Sequence, residues 1–104
     1  MDRIKEIRKA IDSIDTDLLK LLNDRAQLAI ELGEIKNELG LAIYDPTRER
    51  EIIKMMLSKN DGPLDNQAVV GLFQRIIDES RRVEKFSVSS DKNITAKNKQ
   101  RESK

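Results

Sequence analysis

The sequence predicts an all-α protein of three helices, one very long and N-terminal and two shorter, paired with a second copy in a helical bundle. Three observations carry this prediction. The 104 residues are 38% hydrophobic and 38% charged, with only three aromatics, four Gly and two Pro. Leu, Ile, Lys, Glu and Arg at helical spacing in such a mix point to an all-helical chain. An apolar seam of Ile4, Ile7, Ile11, Ile14, Leu18, Leu21, Leu28, Leu32, Ile35 and Leu39 advances by threes and fours, interrupted once, at Arg25. That is the a/d pattern of a helix packed along its whole length. A helix from Asp2 to Leu39 is roughly 55 Å long at 1.5 Å per residue, yet a compact chain of this size has a radius of gyration near 13 Å. One small globule cannot cover that seam, and a second copy of the chain can.

The elements follow in order. The first helix is expected from about Asp2 to Leu39, with Gly40 in the C′ position. The segment LAIYDPTRERE opens the second, with Asp45 as N-cap and Pro46 at the first helical position, where a missing N–H costs nothing. Ile52, Ile53, Met55 and Met56 give this helix an apolar face, and it should end near Lys59. The stretch NDGPLDNQ is a turn, and Asp65 caps a third helix running to about Lys85. Its expected inner stripe is Val69, Leu72/Phe73, Ile76, Ser80 and Val83, so Ser80 also takes a core slot.

The helical domain is therefore placed at residues 1–86. Residues 87–104 are polar and basic and are expected to be a disordered tail or linker. Residues 1–85 carry 15 basic and 17 acidic groups, and residues 86–104 carry 5 and 2. A balanced domain with a weakly basic tail argues against nucleic-acid binding. The chain has no Cys and no His, which excludes a disulfide framework, Cys/His zinc sites, a Ser-His-Asp triad and a cysteine nucleophile. No apolar run approaches the roughly 20 residues that cross a bilayer. MDRIKEIRKAI is not expected to act as a secretion signal, so a cytoplasmic protein without membrane contact is expected.

The informative residues are those that interrupt the seams. A buried, unpaired Arg25 is costly, so it needs an ion-pair partner, an exit to solvent or a polar pocket. Lys36 lies eleven residues on, about 20° from the same helix face and about 16 Å along the axis, so the two cations can lean toward one anion. Arg8 is seventeen residues before Arg25, roughly 25 Å away and turned by about 100°. An antiparallel partner helix can bring it to the pocket where its own chain cannot. Arg48 sits in the first turn of the second helix, and Glu49 beside its apolar stripe. Ser80 and Glu84 form an i,i+4 pair on the inner face of the third. Singly, each has a structural explanation. As a group of cations, two acids and a hydroxyl they fit a polar pocket within a bundle, suited to a small dianion carrying a hydroxyl.

The same residues lie in segments that resemble the all-helical chorismate mutases, the intertwined-dimer class. The segments are IRKAIDSID with Arg8, LLNDRAQLA with Arg25, LGEIK ending at Lys36, DPTRERE from Asp45, and LFQRIIDES ending at Ser80. Their order and spacing cover about residues 2–86, and the turn NDGPLDN resembles versions of this domain fused to other aromatic-pathway enzymes. The resemblance implies an intertwined homodimer that rearranges chorismate to prephenate without cofactor or metal. It implies that Arg25 and the other subunit's Arg8 hold substrate carboxylates, with help from Arg48 and Ser80. Lys36 would donate to the ether oxygen, and Glu49 and the backbone around Asp45 would take the ring hydroxyl. Glu84 replaces a glutamine found in some members. An ionised glutamate only accepts hydrogen bonds, so the resemblance implies that Glu84 acts protonated. Lys36, Glu84 and Arg25 are the expected catalytic groups. A non-catalytic dimerisation or regulatory module, and a lyase acting on isochorismate, are the competing expectations.

Overall fold

The computed structural model of the protein describes residues 2–93. Helix α1 spans Asp2–Leu39, α2 Pro46–Lys59 and α3 Asn66–Asn93. The end of α1 is a Schellman turn. Leu41 N–H donates to the Lys36 carbonyl at 2.8 Å and Gly40 N–H to that of Asn37 at 3.3 Å. Gly40 takes φ +70°, a conformation that an L side chain rarely adopts. This turn sends the chain back past Lys36. The Asp45 carboxylate then caps α2 by accepting from Arg48 N–H at 3.0 Å, with Pro46 in the first turn. Asn60 organises the next turn: its side-chain oxygen accepts from Gly62 N–H at 3.0 Å and its amide donates to the Leu64 carbonyl at 2.9 Å. Asp65 caps α3 by accepting from Ala68 N–H at 2.8 Å.

The first two helices match the bounds read from the sequence. The third continues eight residues past Lys85, to Asn93; the rest of the expected tail, 94–104, lies outside the described residues. Arg25 meets Ser80 and Lys36 meets Glu84, so α1 and α3 run in the same direction. Glu49 near the start of α2 meets Arg81 late in α3, so α2 runs back between their ends. The inward stripe of α3 keeps Val69, Phe73 and Ser80 of the expected set and departs from it at Ile77, which is more deeply buried than Ile76. Val69, Ile77 and Glu84 are buried, whereas Leu72 is exposed. Two adjacent stripes of this helix are apolar, and contact with α1 and α2 selects the one through residues 69, 73, 77, 80 and 84.

The described residues measure 57 × 37 × 14 Å. Its thinnest dimension is little more than one helix with side chains, about 10–12 Å, so the three helices form a single layer. Among the described residues the buried hydrophobic side chains are only Val69 and Ile77. All ten aliphatic residues of the α1 seam are between 45% and 67% exposed. The face that α1 turns toward α3 adjoins the seam and passes through Arg25, Ala29, Gly33 and Lys36, with Leu28 and Leu32 of the seam at its border. Gly33 is buried, and a Cβ there would lie 3.2 Å from both Cα and Cβ of Glu84. The missing side chain is what lets α3 approach α1 at that level.

Candidate active site

The close approach at Gly33 brings the polar groups of α1 and α3 together. Lys36 Nζ lies 3.4 Å from Glu84 Oε1 and donates to the Ile43 carbonyl at 3.2 Å. Both side chains are largely shielded, at 15% and 9% exposure. Burial pushes the Glu84 carboxyl above the usual carboxylate range, and the charges of Lys36, Arg25 and Arg81 oppose that shift. Arg25 donates to the Ser80 hydroxyl across the same gap. Arg81 closes the other side. Its Nε and Nη2 donate to the two carboxylate oxygens of Glu49 at 3.1 and 3.0 Å. Its guanidinium carbon lies 4.8 Å over the Tyr44 ring, within cation–π range.

These groups surround a cavity of about 270 Å³ whose apolar walls come from Leu28, Ala29, Leu32, Ile43, Ile52 and Ile77. Seven of the eight residues expected from the sequence line it: Arg25, Lys36, Asp45, Arg48, Glu49, Ser80 and Glu84. Asp45 uses Oδ1 of its carboxylate on the helix cap. Arg48 is solvent-exposed and lies 3.7 Å from Glu51. Arg8 is not among the lining residues; it lies in the exposed N-terminal half of α1.

Three contributors are absent from the sequence reading. Arg81 stands on the face shared by Ile77 and Glu84, at i+4 and i−3, which is the signal that points to it. Gly33 shows in the sequence only as a helix-weakening residue inside a strong helical pattern. The Ile43 carbonyl has no sequence signature, because the Schellman turn places it.

A layer of helices carrying cations, carboxylates and a hydroxyl around one cavity defines a class: all-helical proteins built to hold a small polar anion. The chain belongs to the chorismate mutase type II family, which matches residues 7–85. It is 35% identical over 100 residues to a chorismate mutase of Methanocaldococcus jannaschii, covering 93% of this chain and 99% of that one. It is 43% identical over 89 residues to a bifunctional chorismate mutase/prephenate dehydratase of Aquifex aeolicus, covering 82% of this chain. The match spans only 25% of that longer relative. Among solved structures, a chorismate mutase of Thermus thermophilus (form II) superposes with TM-score 0.79 at 36% identity, covering 80% of this chain and 94% of that one. A Helicobacter pylori chorismate mutase in complex with prephenate superposes with TM-score 0.79 at 27% identity, covering 86% and 97%.

Proposed function

We propose that the protein is a chorismate mutase, converting chorismate to prephenate by a Claisen rearrangement. One observation carries this reading: Lys36 and Glu84 face each other 3.4 Å apart beside the Arg25–Ser80 pair, inside one shielded cavity. In the reaction the ether C–O bond breaks as a C–C bond forms, and negative charge grows on the ether oxygen. An oxygen placed between Lys36 and Glu84 meets the ammonium on one side. On the other it meets a carboxyl that donates when protonated. Arg25, Ser80 and Arg48 hold the substrate carboxylates, and Glu49 and the backbone near Asp45 take the ring hydroxyl. The site accelerates the reaction by holding one compact conformer and by aiming fixed donors at developing charge. No residue forms a covalent bond to the substrate.

The working unit in this reading is an intertwined homodimer in which Arg8 of one chain enters the cavity of the other. The exposed α1 seam and the distance from Arg8 to Arg25 along one helix support it. The substrate is a water-soluble dianion, which suits the cytoplasmic setting expected from the sequence. A link to a second aromatic-pathway enzyme is supported by the fused relatives.

The test is loss of chorismate absorbance with purified protein at about pH 5 and about pH 8, with the product identified. Prephenate formation that disappears in Arg25→Ala is the expected result. A folded protein that turns over no chorismate at either pH would overturn the reading and favour a regulatory module. Pyruvate release from isochorismate as the dominant activity would favour the lyase.

A further inference from the structure

Arg81 joins the three parts of the chain that close the cavity on the side away from α1. Tyr44, over which it stacks at 4.8 Å, belongs to the connection between α1 and α2. Glu49, gripped at 3.1 and 3.0 Å, belongs to the first turn of α2. Asp78, one turn back on α3, accepts from Arg81 Nη2 at 3.2 Å and steadies the guanidinium. A fork that takes both carboxylate oxygens fixes the plane of the carboxylate. Each oxygen still keeps a second direction in which to accept a hydrogen bond. Without that grip, a first-turn glutamate is free to swing toward solvent or toward the unpaired N–H groups of its own helix.

We propose that Arg81 is the positioning residue for Glu49, fixing its carboxylate as the acceptor for the substrate hydroxyl and holding α2 against α3 through Glu49 and the connection before it through Tyr44. The proposal rests on the chorismate mutase reading. It carries a second consequence, because Arg81 stands one helical turn from Glu84. The groups facing Glu84 are Lys36 and Arg25 from α1 and Arg81 on α3, with Asp45, Arg48 and Glu49 across the same cavity. The three cations Lys36, Arg25 and Arg81 favour the ionised carboxylate. Removing the charge at position 81 therefore favours protonated Glu84 at higher pH. Lysine keeps the charge but lacks the fork.

The experiment measures kcat and KM across pH for the wild type, Arg81→Lys, Arg81→Met, Glu49→Gln, and Glu49→Gln combined with each Arg81 change. Circular dichroism and melting temperature confirm folding. Both single Arg81 variants should lose about tenfold or more in kcat/KM, the scale of a charged hydrogen-bonded contact, mostly through KM. Each double variant should be no worse than Glu49→Gln alone, since Arg81 acts through Glu49. Only Arg81→Met should move the alkaline limb of kcat to higher pH. Effects of positions 81 and 49 that simply multiply, or a folded Arg81→Lys within twofold of wild type, would overturn the proposal. If Arg81→Met does not fold, the lysine variants decide alone. A wild type without mutase activity would instead overturn the functional reading. The tether is then judged by melting temperature: non-additive changes at 81 and 49 support it, and additive ones reject it.

Discussion

Lys36 and Glu84 meet at 3.4 Å, a distance that one oxygen can bridge, and in the proposed reaction the protonation of Glu84 decides what that oxygen meets. If Lys36 donates to the ether oxygen as proposed, Lys36→Ala removes that donor and kcat should fall by about 10²–10³, the range for losing an oxyanion-type donor. KM should change much less, as steady-state kinetics will show. Burial raises the Glu84 pKa, so the carboxyl stays protonated to higher pH than an exposed glutamate does. Activity should therefore be full below that raised value and fall as pH rises through it. Glu84→Gln, which donates at every pH, should flatten that limb; an unchanged profile would count against Glu84 as donor. Arg25, Lys36, Ser80 and Glu84 were legible in the sequence because each interrupts an apolar stripe or continues its face. Arg81 was not. It breaks no pattern, and its partner Glu49 lies 32 residues earlier, so only the fold reveals the pair.

At the scale of the element, the contact between α1 and α3 depends on Gly33. Helix propensity alone makes Gly33→Ala stabilising by roughly 0.5–1 kcal/mol. The structure makes the opposite prediction for function, because the new Cβ meets the Glu84 backbone at 3.2 Å. The helix, rather than a flexible side-chain tip, must then give way. Glu84 moves off Lys36, and kcat/KM should fall several-fold or more even if the melting temperature holds, the scale at which small misplacements of a reacting group are felt. Gly33→Val should lose both. Kinetics paired with thermal melts separate the two effects. The helix bounds were legible from Asp45, Pro46, Gly40 and Asp65, each with a local reason to start or stop a helix. The register of α3 was less so, since Leu72, Phe73, Ile76 and Ile77 offer two neighbouring apolar stripes. The choice between them is made by what α1 and α2 present.

For the whole molecule, the decisive feature is that α1 leaves its leucine and isoleucine seam about half exposed. If a second copy covers that seam and lends Arg8, then Arg8→Ala and Arg25→Ala chains should each be nearly inactive alone. Mixed after co-refolding, they should regain activity, because each heterodimer assembles one site with both arginines intact. Failure of well-folded mixed chains to recover activity would place Arg8 outside the site. The expectation of a second chain rests on one length and one pattern: a helix of roughly 55 Å whose apolar seam runs its whole length with one interruption. The identity of the cavity-lining loop was not, because the Ile43 carbonyl arrives there through a turn rather than through a side chain.

The 14 Å thickness of the helical layer has a thermodynamic consequence. A layer one helix deep buries little of its own, with Val69 and Ile77 the buried hydrophobic side chains among the described residues, so on the dimer reading much of its cohesion comes from association. Covering the exposed half of a Leu or Ile side chain is worth roughly 1 kcal/mol, so ten such residues rival the whole stability of an ordinary domain, about 5–15 kcal/mol. Folding and association should then be a single mass-action event. The melting temperature should climb with protein concentration, and specific activity should fall on dilution together with helicity, at one common midpoint.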